Sequence, residues 1–247
     1  MDNAQRLRLI ARLDDMIHAS LGDCVSPGQP LAIVDTPDIR NCGDAAIWLG
    51  TLAWLKRRFD KDPDYVTRRQ HDFREDAFRA AVPEGPILMQ GGGSFGDIWA
   101  GKQDFRECLL ETFPDRTIVQ MPQSIHYNTK ERLEESRRAI GKHPNFILVV
   151  RDLESKAFAE KNFDCEVRLS PDMAFALGPL EARPSDFPIL AVLRQDAEKA
   201  DFGEWVYPEI PNEDWIFTEH PLKPRLVKAA AVAASLLSGE DQRRHRL

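Results

Sequence analysis

The sequence lacks several features that would each define a class of protein. No apolar run approaches the about 20 residues of a membrane-spanning helix, and residues 1–6 do not lead into the apolar core of a signal peptide. The four cysteines form no C-x-x-C pair, which argues against a zinc site or a disulfide framework. A net charge of −7 argues against a nucleic-acid-binding surface. These absences predict a cytoplasmic protein with reduced thiols.

What the sequence does contain is a regular alternation of short apolar runs and segments with helical spacing. The apolar runs begin at Leu31, Ile87, Thr117 and Phe146. One strand–helix unit every roughly 25–30 residues predicts an α/β fold, with a parallel sheet and helices on both faces. With 43% hydrophobic residues, a chain of 247 residues can bury a sizeable core in one or two domains.

Prolines divide this pattern into two parts. They crowd residues 178–187, which we interpret as a linker. We therefore predict an N-terminal lobe over residues 1–180 and a partial second lobe over residues 181–247. About sixty residues are too few for a second lobe of the same kind.

The most informative segment begins at Ile87. Its apolar run gives way to Gly91, Gly92, Gly93, Ser94, Phe95, Gly96 and Asp97. Glycine adopts positive φ and lets the backbone approach a ligand closely, and the N–H groups of such a segment bind anions. We predict a ligand-binding turn at the carboxyl end of a parallel strand; the alternative is a tight turn that binds nothing. The spacing contains G-x-G-x-x-G, but no clear helix follows, which argues against a dinucleotide site.

Polar clusters also follow the other predicted strands. Asp44 is the predicted N-cap of a helix over residues 45–59. The three clusters comprise Asn41, Gly43 and Asp44; Pro122, Gln123 and Ser124; and Arg151, Asp152 and Ser155. Because the carboxyl ends of parallel strands meet at one edge of a sheet, these clusters and the glycine segment predict one shared site.

In this order, N-x-G-D, G-G-G-S-x-G-D, Q-x-P-Q-S and V-R-D-x-x-S resemble the polysaccharide pyruvyl transferase family, from about Leu31 to Arg194. The resemblance implies Rossmann-like lobes arranged as in GT-B glycosyltransferases. It implies transfer of a pyruvyl group from phosphoenolpyruvate to a sugar of an exopolysaccharide or cell-surface glycan, forming a ketal. The expected partners are phosphoenolpyruvate and a glycan or lipid-linked oligosaccharide, with no cofactor and no metal. Because a lipid-linked oligosaccharide lies in a membrane, the expected location of the protein is the cytoplasm or the inner face of the membrane.

One family motif is missing. The family carries an Arg-Leu-His-Gly segment in its second lobe, and this sequence has none. We therefore expect the second lobe to be short, truncated or degenerate. Two other functions stay open: a GT-B glycosyltransferase that uses a nucleotide-sugar, and a non-catalytic protein that binds a glycan. The sequence determines neither the sugar and its linkage nor the oligomeric state.

The chemistry of pyruvyl transfer assigns roles to particular residues. The carboxylate and phosphate of phosphoenolpyruvate require cations, and Arg151 and Arg194 each directly follow an apolar strand. A carbon must gain a proton and a sugar hydroxyl must lose one, a role we assign to Asp97 and secondly to His126. The alternatives are a turn cap for Asp97, a salt bridge for Arg151 and a structural loop position for His126. The predicted substrate-binding residues are Asn41, Gly43, Asp44, Gly91, Gly92, Gly93, Ser94, Gln123, Ser124, Arg151 and Arg194.

Overall fold

A computed structural model of the protein describes residues 2–37, 41–68, 70–181, 188–193, 210 and 212–213. The chain divides into two units, Met1–Asp186 and Phe187–Leu247. The second unit contains two short parallel strands among its described residues, β8 (Ala191–Val192) and β9 (Asn212–Glu213). The lobe boundary after residue 180 stays a prediction. Arg194 lies outside the described residues.

The first unit alternates helices and strands along the chain. Its helices are α1 (Asn3–Leu21), α2 (Cys42–Phe59), α3 (Glu75–Ala81), α4 (Ala100–Thr112), α5 (Lys130–Gly141) and α6 (Leu153–Asn162). Its strands are β1 (Ala32–Val34), β2 (Tyr65–Val66), β3 (Ile87–Met89), β4 (Gly92–Gly96), β5 (Ile118–His126), β6 (Phe146–Val150) and β7 (Glu166–Leu169). A 3-10 helix, Met173–Leu177, follows β7.

All seven strands form one parallel sheet in the order β2-β1-β3-β5-β6-β7, and β4 pairs with β5 beyond the end of β3. Strand β1 lies between β2 and β3, so the chain reverses its direction of winding at this point. In open parallel sheets, ligands bind at the carboxyl edge where such a reversal occurs. The structure confirms the predicted α/β fold with a Rossmann-like parallel sheet.

Helices cover both faces of this sheet. On one face, α1, α2 and the 3-10 helix pack against side chains such as Ile33 and Leu88. On the other face, α3 to α6 pack against Ile87, Met89 and their neighbours. The alternation follows from the period of two in a strand, and burial on both sides explains why the central strands are continuously apolar.

Two predicted boundaries are wrong for identifiable reasons. Helix α2 begins at Cys42 and its N-cap is Asn41, whose side-chain Oδ1 accepts hydrogen bonds from the N–H groups of Gly43 and Asp44. Asp44 instead lies in the first helical turn, where the helix dipole favours a carboxylate. Strand β5 does not end before Pro122 but continues to His126. The proline is tolerated because the pairing of β5 with β6 shifts register between Gln120 and Gln123.

The glycine segment is also not the turn that we predicted. Residues 92–96 form strand β4, and α4 begins at Ala100, so a helix does follow the glycines. Gly96 has φ +117°, and a Cβ there would lie only 1.7 Å from the carbonyl oxygen of His126. A Cβ on Gly91 would lie 2.7 Å from the carbonyl oxygen of Pro122. These two glycines therefore allow the close approach of β5, and the predicted contact of Gly91 with substrate stays a prediction.

None of the described helices is both long enough and apolar enough to cross a membrane. All four cysteines are free thiols.

Candidate functional site

The four clusters of polar residues meet at one edge of the sheet. Because β1, β3, β5 and β6 are parallel neighbours, the residues that follow them lie side by side, as predicted. The reversal between β1 and β3 places Asp35, Gln90 and the first turn of α2 at the centre of this edge.

The two glycines that face this centre are Gly92 and Gly93. A Cβ on Gly92, whose φ is +135°, would lie 3.6 Å from Oδ1 of Asp44, in α2. A Cβ on Gly93 would lie 3.2 Å from Nη2 of Arg151, after β6. The structure therefore brings together three of the predicted clusters, and it leaves the Gly92–Gly93 backbone between a carboxylate and a guanidinium.

Arg151 is held in place by two side chains. Its Nε donates to Oγ of Ser124 at 2.9 Å, and its Nη1 donates to Oδ2 of Asp172 at 2.6 Å. Ser124 in turn donates to Oδ2 of Asp152, the N-cap of α6. Asp172 also caps the 3-10 helix by accepting from the N–H of Ala174. These contacts fix the guanidinium group with Nη2 turned toward Gly93, which is an arrangement suited to binding an anion.

Arg151 does form the salt bridge that the sequence analysis gave as an alternative role. Its partner is Asp172, 21 positions away, at 2.6 Å, and not an adjacent carboxylate such as Asp152 or Glu154. Partial burial raises the pKa of Asp152, but hydrogen bonds from Ser155 and Ser124 outweigh this effect and hold the pKa below its usual value.

Gln123 and Ser94 have structural contacts. Oε1 of Gln123 accepts from the N–H of Ser94 at 3.0 Å, and its Nε2 donates to the carbonyl oxygen of Gln90. Ser94 also accepts from Arg106 with both its carbonyl oxygen and its hydroxyl. Both residues therefore join β4 to its neighbours, and their predicted contact with substrate stays a prediction.

Asp97 and His126 lie at the far end of β4 and β5. His126 lies three positions after Gln123, which corresponds to about 10 Å along a strand. The carboxylate of Asp97 accepts hydrogen bonds from the N–H groups of Asn128 and Thr129 and from Nδ2 of Asn128, all within 3.0 Å. Exposed His126 contacts Oδ1 of Asn128 through Nε2 at 3.0 Å. The two predicted catalytic residues are thus neighbours, although not at the centre of the edge.

The pKa of Asp97 follows from these contacts. Partial burial raises it, but the hydrogen bonds from Asn128 and Thr129 outweigh burial, and the pKa lies below its ordinary value. A carboxylate with a lowered pKa is a poor proton donor at neutral pH. The geometry favours the capping role, while the catalytic role of Asp97 and His126 stays a prediction.

The sequence analysis missed a buried ion pair beside the site. Arg106 in α4 is 2% exposed, and its Nη2 donates to Oδ2 of Asp35 at 3.0 Å. Lys102 contacts the other oxygen of Asp35, also at 3.0 Å. Burial lowers the pKa of Arg106, while Asp35 opposes that shift. Asp35 has φ +60°, a conformation that is costly for a residue with a side chain and that occurs most often at functional sites.

Two signals in the sequence could have found this pair. Gln103 and Arg106 are spaced three residues apart on a face that continues with apolar Leu109 and Leu110. Gln120 interrupts the apolar run of β5, and its Oε1 accepts from Nε of Arg106 at 2.9 Å. Polar residues within apolar patterns indicate a buried polar network, because such groups are stable only when they are bonded.

Gln90 was not predicted from the sequence either. It is notable because its side chain lacks hydrogen bonds within the described ranges, whereas Arg106 has many. Its side chain is buried, at 4% exposure, directly after β3. Among the residues that the structure describes, neither Oε1 nor Nε2 of Gln90 has a hydrogen-bond partner. Leaving such a group unsatisfied costs about 1–3 kcal/mol of stability.

Two open hollows of the surface lie away from this edge. They have volumes of about 520 and 540 Å³ and are lined by residues at the opposite edge of the sheet, such as Pro86, Thr117 and Asn145. These residues precede their strands and carry none of the motifs. We therefore assign the site from its chemistry, since ligands of parallel sheets bind at the carboxyl edge.

Comparison with known proteins agrees with the motifs. The family model described as polysaccharide pyruvyl transferase matches residues 41–231. Pyruvyl transferase 1 of Schizosaccharomyces pombe is 30% identical over 215 residues, which cover 78% of this chain and 53% of that protein. EpsO of Bacillus subtilis, whose name contains the words pyruvyl transferase, is 32% identical over 203 residues, which cover 80% of this chain and 60% of EpsO. The chain therefore spans little more than half the length of these relatives.

Proposed function

Because the chain belongs to the polysaccharide pyruvyl transferase family, we propose that it transfers a pyruvyl group from phosphoenolpyruvate to a sugar of an exopolysaccharide or cell-surface glycan, forming a ketal. The observation that carries this proposal is the position of Arg151, whose Nη2 lies beside Gly93 at the carboxyl edge of the sheet. We further propose that the reaction takes place in the cytoplasm or at the inner face of the membrane.

The donor side of the proposal rests on charge. Phosphoenolpyruvate carries a carboxylate and a phosphate, and a guanidinium group binds either of them through two parallel hydrogen bonds. Ser124 and Asp172 occupy Nε and Nη1 of Arg151, so an anion between Gly93 and Arg151 would bind through Nη2 and the glycine backbone. Lys102 adds a second cation beside the central reversal, 41% exposed.

The acceptor side requires two proton transfers. One sugar hydroxyl oxygen bonds to the central carbon of phosphoenolpyruvate while the methylene carbon gains a proton. A second hydroxyl oxygen then displaces phosphate, which leaves with the remaining proton and gives a ketal. Asp97 and His126 are the proposed proton-transfer residues; Asp44, whose Oδ1 lies 3.6 Å from a Cβ position on Gly92, is a third carboxylate closer to Arg151. A positioned acid or base of this kind contributes about 10²–10⁴-fold in rate.

The donor is tested by titrating the 247-residue chain with phosphoenolpyruvate in a calorimeter. We expect Arg151→Ala to weaken binding by about 1.5–3 kcal/mol, the usual value for hydrogen bonds to a charged group. Arg151→Lys should restore binding only in part, because one ammonium group cannot bond Ser124, Asp172 and the anion in the geometry of the guanidinium fork. The matched control is Arg132→Ala, which removes an ion-paired arginine of α5 that lies away from the motifs.

The reaction itself is tested by release of inorganic phosphate that depends on an added glycan. Equal phosphoenolpyruvate affinity in the parent and Arg151→Ala would contradict the donor assignment. Binding of UDP- or GDP-sugars in place of phosphoenolpyruvate would point to a glycosyltransferase, and glycan binding without phosphate release to a non-catalytic protein.

A further inference from the structure

The main chain of Gln90 is held more firmly than that of an ordinary loop residue. Its N–H donates to the carbonyl oxygen of Val34 in β1 at 2.9 Å. Its own carbonyl oxygen accepts from Nε2 of Gln120 at 2.9 Å and from Nε2 of Gln123 at 3.0 Å. The main chain from which the Gln90 side chain extends is therefore held by three hydrogen bonds to β1 and β5.

The three glutamines of this cluster differ in one respect. All are buried, and both ends of the Gln120 and Gln123 amides are bonded. Within the described part of the chain, the Gln90 amide has a partner for neither its donor nor its acceptor atom. Poor packing of the region does not explain this difference, because the neighbouring amides are fully bonded.

Strand alternation places the Gln90 side chain beneath α2. Leu88 packs with Ile33 and Ile47 on the face that α1 and α2 cover, whereas Met89 packs on the opposite face. The residue after Met89, still bonded to β1, returns to the face of Leu88. Gln90 thus lies at the carboxyl edge, at the reversal between β1 and β3, under the first turns of α2.

Arg151 lies on the same side of the same edge. Val149 packs on the face of Leu88 and Val150 on the opposite face, so alternation returns Arg151 to the side of Gln90. Two strand spacings separate β3 from β6, which corresponds to about 10 Å. A small anion at Arg151 and a second molecule at Gln90 would therefore be neighbours.

We propose that the Gln90 amide binds a hydroxyl group of the acceptor sugar and helps to determine which sugar is used. This inference rests on the proposed function. Within the described part of the chain, the amide has an unbonded donor and an unbonded acceptor, both shielded from water in the structure, and a hydroxyl both accepts and donates. A carboxylate and a phosphate dianion only accept, so phosphoenolpyruvate cannot satisfy Oε1 of Gln90. The neutral amide therefore selects the sugar, while Arg151 selects the anion.

The test compares Gln90→Met with Gln120→Met in the 247-residue chain. Methionine resembles glutamine in size and has no amide. We expect Gln90→Met to keep or raise the melting temperature, because it removes an amide without protein partners. We expect Gln120→Met to lower the melting temperature, because it breaks the bonds to Arg106 and to the carbonyl oxygen of Gln90.

Sugar binding is measured by ligand-observed NMR with methyl glycosides of glucose, galactose, mannose and N-acetylglucosamine. We expect Gln90→Met to weaken the binding of the preferred glycoside about tenfold, as the loss of two neutral hydrogen bonds predicts, with an unchanged phosphoenolpyruvate Kd. Unchanged glycoside binding, weakened phosphoenolpyruvate binding, or a fall in melting temperature equal to that of Gln120→Met would each overturn the inference. Glycoside binding that depends on Gln90 without any pyruvyl transfer would contradict the proposed function alone.

Discussion

At the scale of single residues, Arg106 is the best connected side chain beside the site. It links α4 to β1 through Asp35, to β4 through Ser94 and to β5 through Gln120. A guanidinium group suits this position because its five N–H donors lie in one plane and stay charged when buried. The strained φ of Asp35 is maintained by the same contacts.

We predict that Arg106→Met destabilises the protein by about 3 kcal/mol, because among the described residues it leaves the buried carboxylate of Asp35 with Lys102 as its one charged partner. Urea unfolding measures the effect. The control is Lys56→Met, which removes an exposed helical salt bridge to Asp60 and should leave stability nearly unchanged. Similar losses for both variants would show that the buried pair contributes no more than a surface pair.

We predict that Asp97→Asn lowers turnover by about 10²-fold or more, because an amide cannot transfer the proton. The variant should also lose about 1 kcal/mol of stability at pH 7, because it removes the carboxylate that accepts from Asn128 and Thr129. These bonds lower the pKa of folded Asp97, so they stabilise the fold fully above the unfolded pKa of about 3.9, and this stabilisation is lost as pH falls through the lower folded pKa. The deficit in stability of the variant should therefore shrink below about pH 4. The same loss of stability with turnover within a few-fold of the parent would make Asp97 a cap alone and leave His126 or Asp44 as the acid or base.

At the scale of elements, apolar periodicity located the helices and strands, and local backbone chemistry determined where they end. Strand β6 begins at Phe146, where the apolar pattern predicts it. The start of α2 was missed because Asn41 and Asp44 are both good N-caps, and only the fold decides between them. The sequence predicts a turn in place of β4 because its glycines have no apolar side chains that would indicate a strand. Glycine is nevertheless needed at Gly96, because a Cβ there would collide with the backbone of β5.

The matched pair Gly96→Ala and Gly101→Ala tests this account of β4. Alanine at Gly96 combines a strained φ, about 1–3 kcal/mol, with a collision against the carbonyl oxygen of His126, so we predict a loss above about 2 kcal/mol. Alanine at Gly101, in α4 with no neighbour within 4 Å of its Cβ, should stabilise the protein by about 0.5–1 kcal/mol. Thermal unfolding compares them. Tolerance of alanine at Gly96 would mean that β4 separates readily from β5.

At the scale of the whole molecule, the sequence predicted where the site lies, at the carboxyl edge of the sheet. It did not predict which residues contact one another there. Topology alone brought the clusters after β1, β3, β5 and β6 together, because parallel strands end on one side. A polar residue within an apolar pattern can indicate a buried network, but the partners of Asp35 and Arg106 are far apart in sequence, and no local pattern identifies them. Within the described part of the chain, Gln90 differs from Gln120 in lacking bonds to its amide, and a sequence pattern does not show such a difference.

We predict that residues 1–181 fold without the rest of the chain. The hydrophobic cores on both faces of the sheet consist of residues up to Ala176, and the seven strands lie within the first unit. The shortened protein should show a single cooperative unfolding transition by circular dichroism. A broad transition, or spectra without helix and strand signals, would mean that residues beyond 181 are needed for the fold.

The extension of β4 and β5 beyond their neighbours has a consequence for how protein molecules meet one another. A projecting pair of strands usually offers unpaired N–H and C=O groups, on which another chain can add a strand and begin to aggregate. Here side chains already occupy such groups: Oγ of Ser155 accepts from the N–H of Ile125, and Oε1 of Gln103 accepts from the N–H of Gly96. The same polar side chains that shape the fold therefore also protect the extension from intermolecular strand pairing.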